Sequence, residues 1–427
     1  MRVLWFTHVP AKDLVEHWGQ RATGTGFWIH SLVEPLRQSQ AISRLGVVYA
    51  GANCPTEHVS IAGVDYYSVR QSWLTAVYGL GRRRDERRCL RVFLDIIERF
   101  RPDLIHIHGT ERFYGQLKAQ RMTDVPTVVS VQGLMGPCAQ HAWGGKTFWN
   151  MLCLVNAWEV KRMFPTLTLR RRYRQAARRE VQILAAVDGI LGRTHWDRSY
   201  CRAVAPQTRY FHVDEMMRPE FFGPQWSLQN TQRHRVYTSG RMTFSKGMHV
   251  FLEAMGLLKR DYPGLEVRIA GSTVPSSEDR YLKTQVRELG LAEAVTFLDW
   301  IPGRRIVEEL LSARCYANAS FIENGCNALQ EAMLLGCPCV TTFTGGMATT
   351  LAHRQTGLMA PRDDAPLLAD GIRELFEDDA LCVRLGAAAR EVAYRRHDPP
   401  AVLAQLLSAY RATLEHASPP KAPWGND

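Results

Sequence analysis

Short apolar runs rich in β-branched residues alternate with helical patterns along most of the chain, and this alternation restricts the fold more than any other feature. The first half contains five such runs, at Val3–Thr7, Leu45–Tyr49, Leu104–His108, Thr127–Val131 and Gly189–Leu191. The alternation restarts after Pro219, with runs at Val236–Ser239, Glu266–Ala270, Ala294–Leu298, Cys315–Ala319 and Pro338–Thr342. Strands that alternate with helices indicate parallel sheets covered on both faces. The sequence therefore predicts an α/β protein with two Rossmann-like, doubly wound domains that face a cleft, where ligands bind outside the carboxyl ends of the strands.

The length of the chain agrees with two domains, because a single core stops growing at roughly 250–300 residues and this chain has 427. The helical spacing of Val402, Leu406 and Tyr410 predicts a further amphipathic helix near the C-terminus. The divisions that we predict are 1–220 for the first domain, 221–398 for the second, 399–417 for a C-terminal helix that crosses back to the first domain, and 418–427 for a disordered tail.

The positive charge of the chain is confined to its first half. Residues 1–222 contain 31 lysines and arginines against 19 aspartates and glutamates, whereas residues 223–427 contain 22 against 23. Much of the excess lies in two runs, Arg82–Arg91 and Arg170–Arg179. Such runs are typical of a surface that meets an acidic partner, so we expect the first domain to do so.

Several features of the chain indicate a cytoplasmic protein. The apolar run at the N-terminus is only four residues long, shorter than the roughly 7–15 residues of a signal peptide's apolar region. No uncharged apolar stretch reaches the roughly 20 residues that a spanning helix needs. The ten cysteines include no Cys-x-x-Cys pair, so we expect reduced, packing thiols and no metal site.

The segment Ser320–Gly346 carries the most chemistry. It predicts a strand end, a glycine-containing turn, a helix that starts near Asn324 and Gly325, and a second buried strand. The N-terminus of a helix suits a phosphate. Glu323 and Glu331 are eight residues apart, about 12 Å if the interval is helical, so they suit hydroxyls at opposite ends of a nucleotide-sugar. The alternative is that Glu331 caps or solvates the helix and that Glu323 is a loop charge.

A second segment, Ser239–Gly247, follows a predicted strand and places two cations five residues apart. Arg241 offers a planar fork of donors and Lys246 a point charge, a pair that suits a diphosphate. Cations in loops are common, so this segment is specific only in combination with the two glutamates.

Together these motifs resemble a known family. The pattern G-R-x4-K-G, followed about 80 residues later by E-N-x2-N-x3-E-A-M-x2-G-x-P and then Gly345-Gly346, is similar to the retaining GT-B glycosyltransferases of family 4, which use nucleotide-sugar donors. The resemblance includes Pro102–Gly109 and Val125–Leu134 in the first domain, and it is weakest at 50–100 and 140–180.

The resemblance implies roles for the residues of the second domain. Arg241 and Lys246 would bind the donor diphosphate and stabilise the leaving nucleotide. Glu323 would meet the transferred sugar and would be catalytic together with these two cations, and Glu331 would bind the ribose hydroxyls. The remaining donor-binding positions are Asn324 and the main-chain N–H groups of Gly325, Cys326 and Asn327.

The resemblance also implies roles in the first domain. Gly24, Thr25 and Gly26 occupy the place of the glycine-rich loop where the main chain approaches the diphosphate. Gln132 stands where many members have a histidine. We assign His108, Gln132 and His195 to the acceptor site or to the edge of the cleft.

The reaction implied is hexosyl transfer with retention. Bond breakage builds negative charge on the leaving phosphate, which fixed cations and a helix terminus stabilise without a metal. The chain contains no Asp-x-Asp, and we expect no cofactor besides a UDP- or GDP-linked donor. Front-face substitution is the route that the family implies, and the expected acceptor is a glycan or lipid-linked molecule in cell-surface polysaccharide synthesis.

An aromatic and then arginine-rich stretch at 146–180 predicts peripheral binding to an anionic membrane surface at the inner face of the cytoplasmic membrane. The alternative is that Phe148, Trp149, Leu152 and Trp158 pack internally and that the arginines form a solvated face.

Two other classes of protein fit parts of the sequence. A nucleotide-sugar epimerase shares the architecture but would not be expected to combine the paired glutamates with the cationic segment. A nucleic-acid-binding protein would explain the arginines, but no recognised binding module is present, and we expect no nucleic-acid partner.

Overall fold

The computed structural model describes residues 1–20, 26–78, 81–161, 164–271 and 276–416. The strands within these ranges are β1 Arg2–Thr7, β2 Arg44–Gly51, β3 Glu57–Ile61, β4 Val64–Arg70, β5 Leu104–His108, β6 Thr127–Ser130, β7 Gly189–Gly192, β8 Arg209–His212, β9 Gln232–Ser239, β10 Glu266–Ala270, β11 Val295–Asp299, β12 Ala313–Asn318, β13 Cys339–Thr342 and β14 Leu358–Ala360.

The helices of the first half are α1 Lys12–His17, α2 Phe27–Gln38, α3 Trp73–Tyr78, α4 Arg82–Phe100, α5 Gln116–Ala119, α6 Met135–Gln140, α7 Phe148–Cys153, α8 Ala157–Lys161, α9 Pro165–Ala186 and α10 His195–Val204. Those of the second half are α11 Met248–Asp261, α12 Ser277–Glu288, α13 Gly303–Ser312, α14 Asn327–Leu335, α15 Met347–Thr350, α16 Ala365–Glu377, α17 Asp379–Arg396 and α18 Pro399–His416.

The strands form two sheets. In the described residues the first sheet has the order β3-β4-β2-β1-β5-β6-β7-β8, and the second has the order β11-β10-β9-β12-β13-β14. All pairings are parallel except that of β3 with β4, and β1 lies between β2 and β5 in the first sheet. The central strands β1 and β5 are buried along nearly their whole length because helices cover both faces of the sheet. The predicted α/β architecture with two parallel-sheet domains is confirmed.

Four strands, β3, β4, β8 and β14, are absent from the sequence prediction. Strands β3 and β8 are only partly buried and carry few apolar residues, so they lack the continuous apolar signal of a central strand. Strand β4 is buried but begins Val-Asp-Tyr-Tyr, and β14 has only three residues. Each of them joins a sheet through tertiary contacts that its own sequence does not predict.

The C-terminal helix α18 packs against the first sheet, although the chain reaches it through the second domain. Leu406, Leu407 and Tyr410 belong to the core cluster that contains Val3 and Trp5 of β1. This return of the chain connects the two domains a second time, in addition to the linker between β8 and β9.

A buried hydrogen-bond chain fixes α18 on the sheet. The Tyr410 hydroxyl accepts from Trp5 Nε1 at 3.0 Å and lies 2.7 Å from His106 Nδ1, while His106 Nε2 lies 2.6 Å from Ser130 Oγ. We expect Tyr410→Phe to lower the free energy of unfolding by about 2 kcal/mol, because it leaves polar atoms of two buried rings without a partner. Chemical denaturation measures this loss.

The control for this prediction is Tyr281→Phe, since Tyr281 is exposed and its hydroxyl has no hydrogen-bonding partner among the described residues. Equal stability of the Tyr410→Phe protein and the wild type would contradict a stabilising role for the chain of bonds.

Residues 141–161 of the first half reach across to the second domain. Met151 is buried in the second-domain core. Ser277 Oγ donates to Glu159 Oε1 at 3.0 Å and accepts from Asn156 Nδ2 at 2.9 Å. The predicted membrane-facing stretch is thus divided, because Met151 packs internally while Phe148 and Trp149 remain exposed.

No helix in the described ranges combines the length and the apolar character required to cross a bilayer. All ten cysteines carry free thiols, and eight of them are buried.

Candidate active site

An open cleft of about 380 Å³ lies where the strands of the second sheet end. Ser239 and Ala270, the last residues of β9 and β10, line it, and so do residues of the loop between β12 and α14. Of the predicted site residues, the cleft brings together Lys246, Glu323, Gly325, Cys326, Asn327 and Glu331. The carboxyl ends of parallel strands are the expected position for a ligand.

A close ion pair occupies one end of the cleft. Lys246 Nζ donates to Glu323 Oε1 at 2.5 Å, and Ser320 Oγ donates to the same oxygen at 2.9 Å. Burial lowers the pKa of Lys246, but the Glu323 carboxylate and, to a smaller extent, the nearby cysteines raise it, and the net shift is upward. The ammonium group therefore stays charged in a partly desolvated position, where its electrostatic effect on a ligand is large.

The lysine reaches this position because two loops are joined. Lys246 ends a 3₁₀ turn, and Gly247 follows with φ +66°, in the left-handed region that favours glycine. A Cβ atom at Gly247 would overlap the carbonyl oxygen of Ala319. Phe321 N donates to Ser245 O at 3.0 Å. The glycine thus permits the close approach that brings the lysine to the glutamate.

The helix of the glutamate motif starts later than predicted. Helix α14 begins at Asn327, and Cys326 precedes it in extended conformation. The expectation that the helix starts near Asn324 and Gly325 is wrong, and the interval from Glu323 to Glu331 is therefore only partly helical. The reason is a long-range contact: Gly346 N donates to the Glu323 carbonyl at 3.0 Å, which holds this loop outside the helix.

A second ion pair lies in the interior of the cleft. Arg218 Nη2 and Nε donate to Glu331 Oε1 at 2.6 and 3.1 Å. Glu331 is 4% exposed, so burial raises its pKa, and Arg218 opposes the shift without cancelling it. The guanidinium also lies 4.7 Å from the centre of the Phe221 ring.

Sequence reasoning did not find Arg218. It stands in the linker between the domains, where no motif marks it, and the only available signal was that a buried glutamate requires a cationic partner.

Arg241 lies outside the lining of the cleft. Its side chain is exposed in the loop after β9, and among the described residues it has no hydrogen-bonding partner. Its charge acts on Tyr173 of the first domain, where burial raises the pKa of the phenol and Arg241 lowers it. The two cations of the segment therefore diverge, with Lys246 at the cleft and Arg241 near helix α9.

Asn324 joins the motif loop to the first domain. Thr194 Oγ1 donates to Asn324 Oδ1 at 2.7 Å, and Asn324 Nδ2 donates to Val131 O at 3.4 Å. Arg193 Nη2 donates to Val131 O at 3.0 Å and to Gln132 Oε1 at 2.8 Å. Gln132 is thus fixed at the domain boundary by an arginine, which is itself paired with Glu215.

The remaining predicted first-domain residues lie in different surroundings. His108 is buried and stacked on His106 at 3.9 Å between ring centres, and burial holds its pKa well below the usual range. His195 is exposed, and its main-chain N–H donates to Thr349 Oγ1 at 3.1 Å. Gly26 precedes α2 with φ +83°. Gly24 and Thr25 lie outside the described residues.

The sequence of the second domain matches a known family. Residues 224–392 match the family model described as Glycosyl transferases group 1. A D-inositol 3-phosphate glycosyltransferase of Corynebacterium efficiens is 32% identical over 175 residues, which cover 40% of this chain and 41% of the relative. The match therefore spans about two-fifths of that relative.

Solved structures match over nearly the whole chain. Sucrose-phosphate synthase from Thermosynechococcus elongatus has a TM-score of 0.75 at 18% identity, covering 98% of this chain and 100% of the other. Anabaena HepE in complex with UDP-glucose has a TM-score of 0.66 at 15% identity, covering 96% and 100%. The second domain is thus similar in sequence to the group 1 glycosyltransferases, and the chain as a whole has the two-domain GT-B fold.

Proposed function

We propose that the protein is a retaining hexosyltransferase that transfers a sugar from a UDP- or GDP-linked donor to a glycan or lipid-linked acceptor in cell-surface polysaccharide synthesis. The observation that carries the proposal is the cleft of the second domain, where the pair Lys246–Glu323 and the pair Arg218–Glu331 converge. Lys246, Glu323 and Glu331 lie within the residues that match the glycosyltransferase family, and Arg218 of the linker joins them. The complex of Anabaena HepE with UDP-glucose supports a donor of this class.

The donor fits the cleft with its diphosphate between the two carboxylates. Lys246 supplies a charge for the phosphates, and the main-chain N–H groups at the start of α14 supply hydrogen bonds and the positive end of the helix dipole. Glu331 takes the ribose hydroxyls as an acceptor of hydrogen bonds. Arg218 holds this carboxylate in place, which is the part that the motif alone did not reveal.

The chemical step then depends on charge development. As the bond from sugar to phosphate breaks, Lys246 and the N-terminus of α14 stabilise the negative charge on the leaving group, and no metal is required for this. Both described contacts of the Glu323 carboxylate go to Oε1, so Oε2 accepts a hydroxyl of the transferred sugar. The attacking hydroxyl approaches on the same face and gives its proton to the departing phosphate.

A nucleotide panel tests the proposal. We expect UDP or GDP, with or without a sugar, to raise the melting temperature in the presence of EDTA, since a ligand at 100 times its dissociation constant stabilises the folded state by about 2.7 kcal/mol. Proton NMR of the transfer product then reports the anomeric configuration. Stabilisation by none of these nucleotides, or a product of inverted configuration, would contradict the proposal.

Peripheral membrane binding through the first domain is part of the proposal. Trp149 is 72% exposed and Phe148 51% exposed on α7, while the nearby Met151 is fixed in the core. The exposed arginines Arg171, Arg174 and Arg178 of α9 would meet anionic headgroups, each basic residue adding about 1 kcal/mol near the surface. We expect the protein to float with vesicles that contain anionic lipid at low salt and to dissociate at high salt.

The matched variant for the flotation experiment replaces both Phe148 and Trp149 by serine. The control replaces Trp300, also by serine; this side chain is 46% exposed and lies in the second domain. The first variant is expected to bind at least several-fold more weakly than the control. Wild-type protein that stays with the unbound fraction at low salt would remove the membrane role.

A further inference from the structure

The first domain contains a second cavity of about 380 Å³ that the donor site does not use. Helices α4 and α9 and the loop after β5 surround it. Among the described residues, the charged side chains that line it belong to four arginines and two glutamates, namely Arg82, Arg112, Arg172, Arg179, Glu86 and Glu111. The cavity thus has a surplus of two positive charges.

One arginine forms part of the wall. Arg179 Nη1 lies 3.4 Å from Glu86 Oε1, and its Nη2 donates to the Glu111 carbonyl at 2.7 Å. Glu111 is itself fixed, because its Oε1 accepts from Gly133 N at 3.1 Å. These contacts connect the loop after β5 to helix α9 and give the cavity a defined shape.

The other three arginines have no such partners. In the described ranges, Arg82, Arg112 and Arg172 make neither a hydrogen bond nor an ion pair through their guanidinium groups. Burial lowers the pKa of Arg172, and the charges of Arg82 and Arg112 act in the same direction. Three guanidinium groups that repel one another around a cavity form an arrangement that a bound anion would stabilise.

The cavity adjoins the donor cleft. Tyr173 lines the cavity, and the charge of Arg241 from the loop of the second domain acts on it. Glu111 of the cavity lining accepts from Gly133 N, and Val131, two residues earlier in the chain, accepts from Asn324 Nδ2 of the cleft loop. A molecule in the cavity would therefore lie next to the sugar end of the donor cleft.

We propose that this cavity binds a phosphate group of the acceptor through Arg82, Arg112 and Arg172. The proposal rests on the function proposed above and specifies the acceptor as an anionic molecule. Guanidinium groups recognise phosphate with paired hydrogen bonds, and a phosphate monoester carries a charge of about −1.5 to −2, which matches the surplus of the cavity. The phosphate belongs either to a soluble sugar or polyol phosphate or to the headgroup of a lipid.

Titration with inorganic phosphate tests the site without knowledge of the acceptor. The protein is first saturated with UDP, so that the donor cleft is filled, and phosphate is then titrated by calorimetry. We expect phosphate binding to weaken at least about 10-fold in Arg172→Ala and at least about 100-fold in the double variant Arg112→Ala/Arg172→Ala, since each removes a charge-assisted contact. The double variant Arg112→Lys/Arg172→Lys keeps the positive charges but lacks the planar guanidinium groups. Its phosphate affinity is expected to lie between that of the alanine variants and that of the wild type.

The control removes the same charge elsewhere. Arg198 and Arg202 are exposed on α10, away from the cavity lining, and Arg198→Ala/Arg202→Ala is expected to bind phosphate within about twofold of the wild type. Thermal melting and the UDP affinity of each variant show that the fold and the donor cleft are intact. Unchanged phosphate affinity in Arg112→Ala/Arg172→Ala, or an equal loss in the control, would overturn the proposal.

Two further measurements distinguish the sources of the phosphate and the two proposals. Loss of glycerol 3-phosphate binding in the cavity variant indicates a soluble acceptor, whereas loss of binding only to vesicles with phosphatidic acid indicates a lipid. If the wild type binds phosphate but no nucleotide, and if the cavity variant does not bind phosphate, the proposed function fails and the anion site stands. If UDP binds and phosphate does not, the anion site fails alone.

Discussion

Lys246→Ala is expected to slow nucleotide-sugar turnover by about a thousandfold, because the leaving diphosphate loses the cation that stabilises its developing charge. The lysine lies 2.5 Å from Glu323, so its removal also leaves that carboxylate without its cation. Slow hydrolysis of the donor measures this effect without an acceptor, by the release of nucleoside diphosphate. Calorimetry with the diphosphate separates the loss of binding from the loss of rate.

Two variants make the lysine experiment specific. Lys283→Ala removes an equally flexible cation from the exposed side of α12, where it pairs with Asp279, and should leave turnover within about twofold. Lys246→Ala/Glu323→Gln removes the unpaired carboxylate and shows how much of the loss comes from charge repulsion. Turnover in Lys246→Ala within threefold of the wild type would exclude the lysine from the reaction.

Arg218→Ala is expected to destabilise the protein by about 3–5 kcal/mol, because it leaves the Glu331 carboxylate buried without a partner. Glu331 is only 4% exposed, so solvent cannot replace the arginine. With about 2–4 °C per kcal/mol for a domain of this size, the melting temperature should fall by about 10 °C. Scanning calorimetry measures the change, and a bound nucleotide should recover part of it.

The exposed pair of Arg395 and Glu391, 3.5 Å apart, supplies the control. Arg395→Ala should change the stability by less than about 1 kcal/mol, since exposed pairs contribute little. The double variant Arg218→Met/Glu331→Gln removes both charges and should recover most of the stability. A melting temperature unchanged in Arg218→Ala would show that the glutamate does not depend on this arginine.

The sequence predicted the central strands of both sheets well because they are buried on both faces. Strands β5 and β10 have the predicted bounds, Leu104–His108 and Glu266–Ala270. Helix α14 was placed too early because its start is set by the contact between Gly346 and Glu323, which joins residues 23 positions apart. Local patterns predict elements whose burial is uniform, and they fail where a distant loop determines the boundary.

The same limit applies to the site. The motifs predicted Lys246, Glu323 and Glu331, which line one cleft in the structure, because their spacing within each segment is fixed. Arg218 was missed because only the fold brings the linker to α14. The two basic runs were recognised as excess charge, but no pattern indicated that Arg82 of the first and Arg172 of the second line the same cavity.

The hydrogen bond from Thr194 to Asn324 has a consequence for timing. Asn324 is adjacent to Glu323 in the chain, so separation of the two domains breaks this bond and removes a first-domain contact of the loop that carries the carboxylate, while Gly346 still holds the Glu323 carbonyl. In the proposed reaction, the surroundings of Asn324 at the sugar end of the cleft are therefore complete only when both halves of the molecule meet. A link of this kind between the domains would restrain hydrolysis of the activated sugar in the proposed reaction until the acceptor has been enclosed.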